Sequence, residues 1–154
     1  MTHSKGDRVL NDNRRARYNY YLLEHLHVGI VLFGTEVKAA RNGRIQLSDA
    51  YAVVKNGELW LLNAHIGHYD HANKMNHEPL RSRKLLAHRR EIDRLYGKTR
   101  ERGFTLIPTK IYLERGRIKC ELALAKAKKM YDKREKILRR DAELETREAI
   151  RGMR

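Results

Sequence analysis

Four histidines, His65, His68, His71 and His77, fall in one short polar stretch and form the one group whose residue types suggest metal ligation. Structural zinc takes four Cys or His ligands, and catalytic zinc takes three with an open position. Thiolates are missing here. The single cysteine, Cys120, sits in an alternating segment whose apolar side faces a core. The expectation is a loop of surface histidines in a basic setting, with no metal. Ser48, Ser82 and Asp49 could be joined to a histidine on paper. They lack the local context that places a nucleophile beside its base. No glycine-rich strand–turn–helix segment cradles a nucleotide phosphate, and the acidic residues are interleaved with basic ones rather than paired. These absences lead us to expect no catalysis and no cofactor, hence not an enzyme.

Contact with anions is better supported. The chain carries 34 Lys and Arg against 19 Asp and Glu, a formal charge of +15 over 154 residues. A field of that sign draws in polyanions and speeds their capture. Nucleic acid is the default partner, with an anionic membrane surface as the competitor. The bases gather in three places: Arg14, Arg15 and Arg17; the run Arg83, Lys84, Arg89, Arg90 and Arg94; and Lys126, Lys128, Lys129, Lys133 and Arg134. Tyrosines 18, 20, 21 and 131 lie beside them, and Tyr131 is the strongest candidate to stack on a base or ribose. No apolar run approaches the roughly 20 residues of a membrane-spanning helix. The first residues lack the apolar core of a secretory signal, and a lone cysteine excludes an internal disulfide. The cytoplasm is the expected compartment.

These clusters need elements to hold them. Residues 1–12 read as a disordered leader. Residues 18–32 read as two short strands or one bent strand, broken at Gly29. Residues 34–41 suit a short helix capped by Thr35 and ended by Asn42-Gly43. Two apolar, β-prone runs, 50–55 and 58–62, flank Asn56-Gly57, the strongest short hairpin signal, because a type I′ turn needs positive φ at both central residues. A polar loop follows over 65–77. Pro79 then opens a basic helix to about Tyr96, with Leu85, Leu86, Ile92, Leu95 and Tyr96 along one side. Two more strands join at Arg115-Gly116. In the second, Ile118, Cys120, Leu122 and Leu124 face one way, and Lys119, Glu121 and Ala123 the other. About six short strands with intervening helices suggest a small, mostly antiparallel barrel. After Lys126 the chain becomes charge-dense, with Asp132/Lys136, Glu135/Arg139 and Glu143/Arg147 at helical spacing. Its apolar residues are too sparse for a buried face, so this tail is expected to order on a partner.

The segment from Asn13 to Tyr20 (Asn-Arg-Arg-Ala-Arg-Tyr-Asn-Tyr) resembles the opening motif of the SsrA-binding protein (SmpB) family. In order after it come Gly34-Thr35-Glu36-Val37-Lys38 with Ser48-Asp49-Ala50-Tyr51, then Asn56-Gly57-Glu58-Leu59-Trp60-Leu61. Arg81-Ser82-Arg83-Lys84-Leu85-Leu86-Ala87-His88 and the stretch from Leu124 to Arg134 complete the set. The resemblance implies a mainly β fold: an OB-like antiparallel barrel of six strands, about three flanking helices and a basic C-terminal tail, disordered or helical. It implies a barrel domain over 13–128 and a ribosome-engaging tail over 129–154. The partners it implies are the tRNA-like domain of transfer-messenger RNA (tmRNA), and the decoding centre and mRNA channel of a stalled ribosome, with the protein a monomer.

Carried over by position, Glu36, Lys38, Lys84, Leu86 and His88 match the RNA-facing set, to which the basic residues Arg14, Arg15, Arg17 and Arg83 are added. Lys126, Lys128, Lys129, Tyr131, Asp132, Lys133 and Arg134 match the ribosome-facing stretch. His27 stands where relatives often carry Glu, and Ala127 where a Gly is common, narrowing the hinge before the tail. A general RNA module on the same basic barrel would explain the charge but neither the tail nor the ordered motifs. A metal-dependent nuclease would need the histidine loop to bind metal.

Overall fold

The structure is a computed structural model, and it describes residues 7–70, 76–101, 103–129, 140, 142 and 144. Among these, the strands are β1 (Arg8–Asp12), β2 (Tyr20–Ile30), β3 (Ile45–Gln46), β4 (Tyr51–Lys55), β5 (Glu58–Leu62), β6 (His65–Ile66), β7 (Arg83–Leu86), β8 (Phe104–Glu114) and β9 (Arg117–Ala127). The helices are α1 (Arg14–Asn19), α2 (Gly34–Arg41) and α3 (Arg89–Arg100). All strand pairings are antiparallel. Strands β8, β4, β5, β7, β2 and β9 follow one another through hydrogen bonds, and β9 returns to β8, so six strands close a ring. β1 adds to the outside of β8, and β3 pairs with β6 in a separate two-stranded sheet. The mainly β class, the antiparallel pairing and the three helices agree with the sequence reading.

Closure depends on long strands that bend. β8 meets β1, β4 and β9 along its length. Register shifts between Pro108 and Lys110 in β8, and between Leu22 and Glu24 in β2, mark the bulges. An extra residue on one strand bends it and increases its twist. The expected break at Gly29 does not occur; β2 runs through it. The Asn56-Gly57 hairpin forms as read, with φ of 53° and 75° and Lys55 opposite Glu58.

Four local expectations are corrected. Arg8–Asp12, assigned to a disordered leader, pairs with β8 and belongs to the folded body. Arg14–Asn19 is a helix. Asn13 Oδ1 accepts from the Ala16 N–H, while Asn13 Nδ2 donates to the carbonyls of Leu47 and Pro108 at 3.1 and 2.8 Å. A buried cap with three partners overrides the weak strand signal of the tyrosines. The long basic helix divides: Arg83–Leu86 is a strand and only Arg89–Arg100 is helical. Leu85 and Arg83 point inward while Leu86 points out, a period of two that β5 and β2 impose through pairing. Tertiary pairing here outweighs the helix propensity of Arg, Lys and Leu. Finally, Thr35 does not cap α2. Phe33 is the N-cap, and its N–H donates to Glu36 Oε1 at 2.8 Å.

The core fills the ring with Val28, Leu59, Leu61, Leu85, Leu106, Ile111, Leu122 and the Cys120 thiol, sealed by Ile92 and Leu95 of α3 and by Ala39 and Ala40 of α2. Each large side chain buried there contributes roughly 1.5–3 kcal/mol. Ala123 and Ala125, on the other face of β9, are also buried, and Ala16 of α1 packs with Ala125 and Ile107. That is why small residues stand at positions a polar outer face would otherwise occupy.

Candidate nucleic-acid interface

The pairing of β2 with β7 sets Gly29 opposite Leu86, and the Val31 N–H continues the ladder by donating to the Lys84 carbonyl at 2.9 Å. Opposed residues of an antiparallel pair share a face. Leu86, Lys84, Val31 and Phe33 therefore lie on the outside of the ring, while Leu85, Arg83 and Ile30 point inward. Leu86, Phe33 and Val31 are 52%, 54% and 42% exposed. Trp60 of β5, opposite Lys84, extends the face and is half-buried. A Cβ at Gly29 would meet Leu86 Cβ at 3.3 Å, so the missing side chain is what lets Leu86 lie across β2. Lys84 Nζ is 3.2 Å from Glu58, both partly exposed. His88 is exposed at the start of α3. Lys38, exposed on α2, holds its ammonium 5.3 Å from the Tyr69 ring centre.

Two members of the sequence-derived RNA set are not on this face. Glu36 and Arg83 are 0% exposed and pair with each other inside the protein. Arg83 also donates to the carbonyls of Ala64 and Pro79, at 2.6 and 3.1 Å. Their charges are engaged in joining α2 to β7, with both side chains buried. Arg81 closes the cluster: its Nη2 donates to Glu36 Oε1 at 2.6 Å, and its guanidinium lies 3.9 Å over the Phe33 ring. Burial alone would raise the Glu36 pKa. The hydrogen bonds from Arg81, the Phe33 N–H and Arg83 outweigh it and hold the carboxyl below its ordinary value. Burial likewise pushes the Arg83 guanidinium down, against the pull of Glu36.

Along the same face toward β9, His27 Nδ1 and the Tyr112 hydroxyl share a hydrogen bond of 2.7 Å. Glu121 lies between His25 and His27, at 3.7 and 3.6 Å, and accepts from the Thr109 hydroxyl at 2.6 Å. Burial first, then Glu114 and Glu121, push the Tyr112 phenol up to about 12, so it stays protonated. The position of His27 thus carries a ring beside a carboxylate supplied by β9.

The remaining candidates lie elsewhere. On α1, Arg14, Arg15 and Arg17 are exposed; Arg15 approaches Asp49 at 3.7 Å and Arg17 pairs with Asp12 at 3.0 Å. Lys126 and Lys129 are exposed at the end of β9, and Lys128 donates to the Arg17 carbonyl at 3.2 Å. The first and third basic clusters therefore meet. Tyr131, Asp132, Lys133 and Arg134 lie outside the described residues, as do the three helical ion pairs read in the tail. In the histidine loop, His65 and His68 are exposed, and His71 is outside the described residues. His77 departs from the surface reading: it is buried, with Nε2 2.9 Å from the Ile66 carbonyl and Nδ1 2.9 Å from the Thr35 hydroxyl. A carbonyl only accepts, so Nε2 carries the proton and the ring pins the loop to α2. Among the described residues, no three His, Cys, Asp or Glu side chains are grouped to hold a metal ion, and no helix is long and apolar enough to cross a membrane.

Sequence reasoning missed Val31, Phe33, Trp60 and Tyr112. The signal was an alternation at 27, 29, 31 and 33 that continues past the end of β2; Phe33, at its far end, reads locally as the start of a helix.

Fold and face together define a class: a ring of antiparallel strands presenting an open apolar patch fringed with cations. The family model described as "SmpB protein" matches residues 10–152. The SsrA-binding protein of Syntrophomonas wolfei subsp. wolfei is 59% identical, covering 90% of this chain and 88% of the relative. That of Moorella thermoacetica is 57% identical, covering 94% of each. A solved chain described as "tmRNA-SmpB: a journey to the center of the bacterial ribosome" is 45% identical with a TM-score of 0.67, covering 78% of this chain and 85% of that one. The chain belongs to the SmpB protein family.

Proposed function

We propose that the chain binds the tRNA-like domain of tmRNA and delivers it to stalled ribosomes for trans-translation, so that unfinished proteins are tagged for degradation. The observation that carries this reading is the likeness, in both sequence and fold, to a solved SmpB chain described with tmRNA and the bacterial ribosome. The outer face of β2 and β7 is the proposed RNA contact, with Lys84, Leu86, His88 and Lys38 from the family set and phosphates met by the cations. Arg14, Arg15 and Arg17 are proposed as further RNA contacts, and beside them Lys126, Lys128 and Lys129 are proposed to face the ribosome. The tail from 129 onward, with Tyr131, Asp132, Lys133 and Arg134, is proposed to enter the vacant mRNA channel and so sense the absence of message. In this scheme the six-stranded ring is an OB-like barrel, the body runs to about residue 128, and the protein acts as a cytoplasmic monomer without cofactor or catalysis.

Truncation after Lys128 tests the division of labour. Affinity for the tRNA-like domain should stay within a few-fold of the full chain, while tagging on ribosomes stalled at the end of a message is lost. Loss of RNA affinity on truncation would overturn the assignment of RNA binding to the body.

A further inference from the structure

Phe33 is a large aromatic side chain left more than half exposed at the end of an outer strand face. It is not a loose surface residue. The Arg81 guanidinium lies 3.9 Å over the ring centre, and that guanidinium is fixed in turn by Glu36 Oε1 at 2.6 Å and by the Val31 carbonyl at 3.3 Å. Glu36 is itself held by the buried Arg83. One ring face is therefore covered by a cation braced from the core, and the exposed surface is the opposite face and edge. Val31, two residues before it, and Leu86, opposite Gly29, are exposed on the same side of the sheet, and Lys84 stands opposite Val31.

We infer that Phe33, backed by Arg81, is a stacking platform for one unpaired nucleobase of the RNA partner, a site separate from the phosphate contacts. An immobile aromatic ring loses little entropy on stacking, and every base offers a π-face to it. The cationic backing is chemically apt, because Arg81 and Arg83 share the single carboxylate of Glu36 and leave the cluster net positive beneath an anionic ligand. Paired bases in a duplex offer no free face, so the platform selects RNA with a splayed loop or bulge. This assignment rests on the proposed RNA function and adds the chemical class of the contact.

The test uses the full chain and a transcribed tRNA-like domain of tmRNA, with 2-aminopurine placed in turn at each unpaired purine, beside a blunt RNA duplex of equal length. The wild-type protein should change the fluorescence at one position more than at the rest. Phe33→Ala should abolish that change and weaken binding by about 5- to 150-fold, the range for losing one base–aromatic stack. Phe33→Leu keeps the apolar bulk and should weaken binding nearly as much, whereas Phe33→Trp should keep it within a few-fold. Duplex affinity should be the same for all. If Phe33→Leu and Phe33→Ala both bind the tRNA-like domain as tightly as wild type, the platform is wrong and the face is better read as a protein contact. If the wild-type chain fails to prefer the tRNA-like domain over the duplex, it is the RNA function that fails.

Discussion

Glu36 of α2 and Arg83 of β7 form a fully buried ion pair, distant in sequence and joined inside the protein. Removing one partner of such a pair leaves an uncompensated charge in the interior, which costs about 3–5 kcal/mol. Glu36→Gln is therefore expected to lower the urea midpoint sharply with an unchanged m-value. Its RNA affinity, measured where the variant remains folded, should fall far less than its stability. A double change to apolar residues of similar size, Glu36→Leu with Arg83→Met, should recover only part of the loss in the same melts, because the Ala64 and Pro79 carbonyls, the Phe33 N–H and Arg81 also lose these partners.

The same carboxylate makes stability depend on acid. Its folded-state pKa lies below the ordinary 4.5, so the unfolded chain binds the proton more readily. The stabilisation is thus complete above about pH 4.5 and is lost as pH falls through the lowered folded value. Urea melts from pH 6 downward should show a decline in that window for wild type and a shallower one for Glu36→Gln. Equal slopes would mean that other carboxylates dominate acid unfolding.

Lys84 tests the face by its salt dependence. Its pairing with Glu58 is partly exposed, a class of ion pair worth little in water, so a phosphate can replace Glu58 at small cost. Lys84→Met should reduce the slope of log affinity against log salt for the tRNA-like domain by about 0.7–0.9. Glu58→Gln should leave that slope alone and tighten binding slightly. An unchanged slope in Lys84→Met would place Lys84 off the RNA.

The hairpin was legible because its signal is local: Asn56-Gly57 adopts positive φ whatever surrounds it. Cys120 and its apolar neighbours were legible because alternation over Ile118–Leu122 in β9 records one buried face there. Arg83–Leu86 was misread because four residues cannot separate a period of two from one of 3.6 when helix-forming types fill them. The partners that decide the matter, Leu59 to Leu61 and Gly29, lie more than twenty residues upstream. The burial of Glu36 and Arg83 went unseen for a related reason. A charged residue in a basic segment reads as surface, and burial becomes visible only once the strand direction is known. The alternating residues Val31 and Phe33 were passed over because they fall at a strand-to-helix junction.

Gly57 separates turn geometry from packing. Its φ is +75°, and a Cβ there would meet Arg89 Nη1 at 2.6 Å. That neighbour is the far end of an exposed, flexible side chain and can move away. The left-handed backbone cannot relax so easily and costs an L side chain roughly 1–2 kcal/mol. Gly57→Ala should lose about that much in urea melts, and the further change Arg89→Ala should not restore it. Recovery on removing Arg89 would assign the cost to the clash.

Gly29 offers the converse, a change that touches the face and spares the fold. Its φ lies outside the left-handed region, so alanine meets no backbone penalty, and a glycine inside a strand is itself weakening. The new methyl would press on Leu86 Cβ at 3.3 Å and Cδ1 at 3.4 Å. Leu86 is half exposed and free to tilt outward by a few tenths of an ångström. Gly29→Ala should thus match or slightly exceed wild type in thermal stability while binding the tRNA-like domain more weakly, because Leu86 no longer lies flat beside Val31. Leu86→Ala should weaken binding too, and in the Gly29→Ala background it should cost less than in wild type, since the two changes spoil one contact. Additive losses would show that Gly29 and Leu86 act on the RNA independently.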